Sequence, residues 1–382
     1  MKILYITYIS METAESGSSV RPLMMYQAMQ QSGHEIHLVS GSQARSNRVK
    51  RKATVLNAMN WLNNNQPDLC YIESPTYPII HGFDRKLIRA VVKKGIPTAY
   101  FYRDMYLKFS QFRKESQRGL LRIIKDTGLI FLQYLTDNLL KKVDIVYFPT
   151  PKASEYFGYK NKLQLMPAAR RFVVTQKNIE EKICIYVGGL ADLYGSKMLF
   201  DAFKILNNDS SSVVYRLILV CREPEYKKSV FYQNRIDQLE WLSVHHVSGY
   251  ESLKPLYEAA TVALLPQKPM IYTNMAIGVK FFEYLGEGLP IVSAGALEMS
   301  NMIRKNNLGV VTKDTPDDFA RGIAEILSDY SMYEDIKNSI AKYMKNNLWT
   351  NRVEQIIDDL LNSDICVENC IIKNTEKAER KG

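Results

Sequence analysis

The chain has 382 residues, 46% hydrophobic and 24% charged, enough for two ordinary domains and unlike a disordered or fibrous chain. No run of about 18 uncharged apolar residues occurs, so no spanning helix is expected, and the start MKILYITYIS has no cleavage site and reads as a buried strand, not a secretory leader. The net charge of +10 sits at the front: residues 1–170 hold 25 Lys and Arg against 12 Asp and Glu, which fits either an anionic partner or a merely solvated basic face.

In chain order, Lys2–Ser10 reads as an apolar strand. A loop with Gly17, Ser18 and Ser19 follows; Pro22 opens a helix, Gly33 ends it, and His34–Ser40 is the next strand. This is a βαβ opening whose Gly-Ser loop stands where a Rossmann-type half meets its ligand. It has no GxGxxG, so it carries no dinucleotide fingerprint. Residues 41–52 read as a basic loop with Arg45, Arg48, Lys50, Arg51 and Lys52. A helix over 53–65, a strand closing at Ser74, a helix over 84–94 and a strand Ile96–Phe101 continue the alternation. Arg103 and Asp104 lie just past the carboxyl end of that strand, where catalytic groups gather in α/β folds. Arg103 can bind phosphate or sugar oxygens, and Asp104 can orient a hydroxyl or act as a base. The bland alternative is a local ion pair that holds the loop.

Residues 107–142 mix Leu, Ile and Phe with Lys108, Arg113, Lys114, Arg118, Arg122 and Lys125. Two readings fit: a basic amphipathic insert drawn to anionic lipid, or a long helix packed on its own domain with its cations turned outward. Val143–Thr150 is the last strand of the front half. A polar, aperiodic stretch near 170–180 marks a border, giving domains 1–172 and 173–363 and a polar tail 364–382.

The second half restarts the rhythm. ICIYVGGLADLYGSKMLFDAF is strand, glycine turn, helix; Gly188 and Gly189 either let backbone approach a ligand or make a tight turn. YRLILVCREPEY is strand and loop, with Arg222 and Glu223 in the loop. HHVSGYESLKPLYEAATVALLP is strand, turn, helix, strand, and His245 and His246 have no acidic or thiol cluster beside them for a metal. A strand and a helix capped by Thr315 or Asp317 follow, then the amphipathic helix NRVEQIIDDLLNS. Five scattered cysteines suit a reducing cytoplasm.

The most informative stretch is Asn274–Ala294, NMAIGVKFFEYLGEGLPIVSA. A short helix stops at Gly286 and Gly288, Pro290 forbids more helix, and Ile291 begins a buried strand. The helix start offers N–H groups to an anion, Lys280 adds a full positive charge, and Glu283 can accept hydrogen bonds from two neighbouring hydroxyls. Phosphate plus a diol describes a nucleotide sugar; the alternative is an ordinary helix–turn–strand joint.

The run GVKFFEYLGEGLPIVSA resembles the donor-site motif of GT-B glycosyltransferases, especially the retaining family four, glycosyl transferases group 1. The resemblance spans about 1–360 in architecture, with specific motifs at 183–202 and 246–294. It implies an α/β GT-B fold, two Rossmann-like domains facing across a cleft. It implies a metal-independent, retaining hexosyltransferase that moves sugar from a nucleotide diphosphate sugar to an acceptor hydroxyl, with no cofactor beyond that donor. Glu283 stands where the family holds the donor ribose; a second family glutamate eight residues earlier is Met275 here. The resemblance carries over Arg103, Asp104 and Lys280 as catalytic. On the donor side it carries over Gly17, Ser18, Gly188, Gly189, Tyr194, Lys197, Arg222, Lys280 and Glu283. Arg21 carries over as a cleft residue, or else is a surface cation. Arg103 replaces a frequent family His, Gly189 and Tyr194 occupy places that often hold Arg and Lys, and Ala168–Ala169 replace an Asn-Gly pair. The basic insert fits a lipid-linked or surface-polysaccharide acceptor at the inner face of the cell membrane, with no nucleic acid partner. Two alternatives stay open: a GT-B sugar-nucleotide 2-epimerase and a catalytically degenerate GT-B partner subunit.

Overall fold

The computed structural model describes residues 1–11, 17–76, 78–103, 120–174, 176–208, 214–233 and 239–361. Asp104, residues 107–119 of the basic insert and the tail from 364 lie outside the described residues. The chain forms two compact units: Met1–Met166 together with the segment from Trp349, and Pro167–Leu348.

The first unit alternates β1 (Lys2–Ile6), α1 (Gly17–Gln31), β2 (Glu35–Val39), α2 (Arg48–Asn64), β3 (Leu69–Glu73), α3 (Gly82–Lys93), β4 (Thr98–Phe101), α4 (Leu120–Leu140), β5 (Ile145–Phe148), α5 (Pro151–Ser154) and β6 (Lys162–Gln164). The strands form one parallel sheet in the order β2-β1-β3-β4-β5-β6. Its central strands are buried along their whole length, as a parallel sheet covered on both faces requires. Helix α1 starts at Gly17, earlier than the expected Pro22, which falls within it. Pro22 is the sixth residue of the helix, one turn in, so it removes one i→i−4 hydrogen bond.

Arg21, expected as a cleft residue or a surface cation, and Arg51, expected in a basic loop, are both core fasteners. Arg21 is buried: its Nε lies 3.0 Å from Glu73 Oε1, and its guanidinium stacks 3.4 Å from the centre of the Phe101 ring. Its other face lies 5.4 Å from the ring of Trp349, the first residue of α14 (Trp349–Leu361). That helix, expected in the second domain, packs on α1 in the first unit. Arg51, expected in a basic loop, lies in α2 and is 1% exposed. It donates from Nε to Asp84 Oδ1 at 2.9 Å and from Nη1 to the carbonyls of Thr7 and Val39 at 2.9 and 3.2 Å, tying the ends of β1 and β2 to α3. Arg45, Arg48, Lys50 and Lys52 remain exposed.

The second unit comprises β7 (Ile183–Val187), α6 (Ser196–Leu206), β8 (Arg216–Val220), α7 (Glu223–Tyr226), α8 (Val230–Gln233), β9 (Leu242–His245), α9 (Tyr250–Ala259), β10 (Val262–Leu265), α10 (Val279–Gly286), β11 (Ile291–Ser293), α11 (Leu297–Asn306), β12 (Gly309–Val311), α12 (Pro316–Ile326) and α13 (Tyr330–Met344). Its sheet is again parallel, in the order β12-β11-β10-β7-β8-β9. Thr315 caps α12 by accepting from Asp318 N, as its sequence indicates.

Removing one partner of a buried ion pair strands the other charge. Asp84→Ala is therefore expected to destabilise the first unit by about 3–5 kcal/mol, seen as an earlier transition in urea.

Candidate functional site

The second sheet reverses its order between β7 and β10: β8 and β9 lie on one side of β7, and β10, β11 and β12 on the other. The loops that leave these two strands at their carboxyl ends diverge around a topological switch point, the place where open α/β sheets hold ligands. Here the two loops are fastened together. Gly195 has a φ of +71°, and a Cβ there would lie 1.7 Å from the carbonyl oxygen of Pro266, so only glycine fits. Lys268 donates its backbone N–H to Leu193 O at 3.3 Å, and its Nζ lies 2.7 and 2.8 Å from the two carboxylate oxygens of Asp192.

Helix α10 follows the second loop. It buries Phe281, Phe282, Tyr284 and Leu285 against the unit, each worth about 1.5–3 kcal/mol relative to exposure. Gly286 lets it pass close to the chain entering the unit: a Cβ there would lie 2.6 Å from Arg171 O, and Val173 N donates to Gly286 O at 2.8 Å. Tyr284 sends its hydroxyl to the end of β7, where Val187 N donates to it at 2.8 Å. The helix begins after Gly278 with no side-chain cap; of its first-turn N–H groups, that of Phe281 already donates to Gly278 O at 3.1 Å.

On the other side of α10, Lys280 and Glu283 are partly accessible, with side chains 34% and 24% exposed. Expected as separate handles for a phosphate and a diol, they touch: Lys280 Nζ lies 2.6 Å from Glu283 Oε2. Tyr257, buried on α9, donates its hydroxyl to the same Oε2 at 3.2 Å and sits 3.4 Å from Lys280 Nζ. Burial, and then the nearby Glu283 charge, push the Tyr257 phenol well up, so it stays a neutral donor. Its ring meets Tyr284 edge-on at 6.0 Å. Glu283 Oε1 has no hydrogen-bond partner among the described residues and remains an open acceptor.

The remaining residues singled out in the sequence distribute as follows. Gly188 and Gly189 make the turn after β7: Tyr186 donates its hydroxyl to Gly189 O at 2.6 Å, and a Cβ on Gly189 would lie 2.8 Å from the Tyr194 ring. Lys197 is exposed in the first turn of α6. Arg222 is exposed and pairs with Glu225, whose Oε2 accepts from Leu190 N at 3.2 Å. Gly17 and Ser18 form the first turn of α1 in the first unit. Arg103, also there, follows β4; its N–H bonds Ser74 Oγ and its Nη2 bonds Thr76 Oγ1, both at 2.9 Å. Its sequence neighbour Asp104 lies outside the described residues. Sequence reading missed Tyr257, Lys268 and Glu225.

Residues 181–329 match the family described as Glycosyl transferases group 1. Across the whole chain the fold is that of GT-B glycosyltransferase structures. A sucrose-phosphate synthase from Thermosynechococcus elongatus is 13% identical, with a TM-score of 0.61 over 99% of this chain and 100% of that one. WaaG, a glycosyltransferase involved in lipopolysaccharide biosynthesis, is 12% identical, with a TM-score of 0.60 over 94% and 100%. An alpha-glucosyltransferase in complex with UDP and a 13-mer DNA containing a HMU base is 12% identical, with a TM-score of 0.59 over 94% and 99%. At these identities the likeness is one of fold. No curated protein sequence matches the chain.

Tyr284→Phe removes the acceptor for a buried strand-end N–H. It is expected to cost about 1–3 kcal/mol in the unfolding free energy of the second unit, measured by denaturant titration.

Proposed function

We propose that this chain is a glycosyltransferase that moves a sugar from a nucleotide diphosphate sugar to an acceptor hydroxyl, its second unit holding the donor. The observation that carries the reading is the joined Lys280–Glu283–Tyr257 group beside the switch point of a glycosyl transferases group 1 domain. The open acceptor Glu283 Oε1 takes a ribose hydroxyl. Lys280 meets the diphosphate, helped by the uncapped start of α10 and the Gly189 N–H, since Gly188 N–H donates to Val220 O and Leu190 N–H to Glu225. Leaving-group charge is thus offset by protein groups, and the reading is of a metal-independent, retaining transfer. Arg103 and Asp104 in the first unit are proposed to act on the transferred sugar.

Purified protein is expected to release nucleotide from one of a panel of nucleotide diphosphate sugars. Lys280→Met, which removes a charge preorganised for the leaving group, is expected to lower that rate by about 10²–10³. Glu283→Ala is expected to raise the donor KM. Equal turnover by the wild type and both variants would sink the assignment. The uncharged Gly189 and Tyr194 favour a second reading, a non-catalytic GT-B partner subunit. Sugar transfer by the isolated chain excludes it.

The acceptor is proposed to be a lipid-linked or surface-polysaccharide precursor at the inner face of the cell membrane. Supporting this, α4 exposes Ile130, Phe131 and Tyr134 to 61%, 59% and 60%, one apolar face at helical spacing, and exposed Lys141 and Lys142 follow it. No helix among the described residues is long and apolar enough to cross a membrane. The protein is expected to float with anionic phospholipid vesicles, less so in 0.5 M salt, and to stay at the bottom of the gradient as the Ile130→Asp, Phe131→Asp variant. A wild type that fails to float removes the membrane surface from the reading.

A further inference from the structure

We infer that Tyr257 is the positioning residue of the donor site, setting which oxygen of Glu283 faces the nucleotide. The inference rests on the reading of Glu283 as the ribose acceptor and goes one step behind it.

A glutamate on a half-exposed helix face can turn about its last side-chain bond and present either oxygen. In this chain that freedom is removed. Oε2 receives two donors, Lys280 Nζ at 2.6 Å and the Tyr257 hydroxyl at 3.2 Å. A carboxylate oxygen has about two lone-pair sites, so Oε2 is filled and Oε1 alone is left to a ligand. Lys280 cannot do this alone. It stands three residues from Glu283 on the same helix, and in the proposed site it has a second claimant, the diphosphate. When Lys280 swings to phosphate, Tyr257 is the donor that keeps Oε2 turned inward.

Tyr257 is built for that task. It is 1% exposed, and its ring is fixed against Tyr284, which is itself bonded to the end of β7. The end of α9 is held by Lys177, whose Nζ donates to the carbonyls of Tyr257 and Glu258 at 2.9 and 2.6 Å. Among the described residues the Tyr257 hydroxyl bonds only to Glu283 and Lys280. A phenylalanine there keeps the packing and loses only these two contacts.

The test is a calorimetric titration of the full chain with UDP, GDP, ADP and CDP. The tightest binder is then compared with its 2′,3′-dideoxy form. The wild type is expected to prefer the ribose form by about 10–100-fold, the worth of a hydrogen bond to a charged group. Glu283→Gln removes most of that preference. Tyr257→Phe is expected to shrink it about three- to tenfold while leaving the affinity for the dideoxy form unchanged. Added to Glu283→Gln, Tyr257→Phe is expected to change nothing further, because it acts through the carboxylate. A Tyr257→Phe protein that keeps the full preference, or that weakens both nucleotides equally, overturns the inference and leaves the Glu283 reading standing. A wild type that binds none of the four, or makes no distinction between the ribose and dideoxy forms, overturns the Glu283 reading itself. Unfolding midpoints of both single variants establish that the comparison is between folded proteins. Should Tyr257→Phe not fold, Tyr257→Leu also lacks the hydroxyl donor, and the same comparison decides the inference.

Discussion

A backbone N–H at the buried end of a parallel strand must find an acceptor, because leaving it unpaired costs about 1–3 kcal/mol. In the second unit the last N–H of β7 finds the hydroxyl of Tyr284. That single requirement locks α10 to the central strand. Lys280 and Glu283 lie within one turn of Tyr284, so their place beside the switch point is inherited from it. The geometry of the proposed donor site and the satisfaction of the sheet meet in the one residue, Tyr284.

Cations divide into two kinds in this protein. Arg21 and Arg51 are consumed inside the first unit, where each meets a carboxylate and spans three or more elements. Lys268 and Lys280 stand at the carboxyl edge of the second sheet, each held by an acidic neighbour yet partly open to solvent. Only the second kind can be handed to a ligand. The positive charge of the front half is therefore smaller as a surface property than the count of its lysines and arginines suggests.

Most of the second unit was legible in the sequence because its signals are local. Lys280 and Glu283 are three apart on a helix bounded by glycines and a proline, and the apolar runs ICIYV, LILV and VALL can only be buried strands. What stayed hidden is non-local. Tyr257 reaches Glu283 from a different helix, 26 residues away, and reads in sequence as one more apolar position of α9. The buried arginines pair with Asp84 and Glu73, 33 and 52 residues distant, and nothing within a short window distinguishes them from solvated cations. Helix α13 went unread because its surface is mostly polar, and the destination of α14 cannot be deduced from chain order.

That destination bears on how the polypeptide is made. The first unit is interrupted: the ribosome must deliver all of Pro167–Leu348 before it supplies Trp349, which closes over Arg21. Domains generally fold as they emerge. Here the segment made in the middle can finish while the earlier one still waits, with the Trp349 side of its guanidinium uncovered, for its last helix. Completion of the first unit is therefore expected to wait on the last helix made, after the segment between has already been supplied.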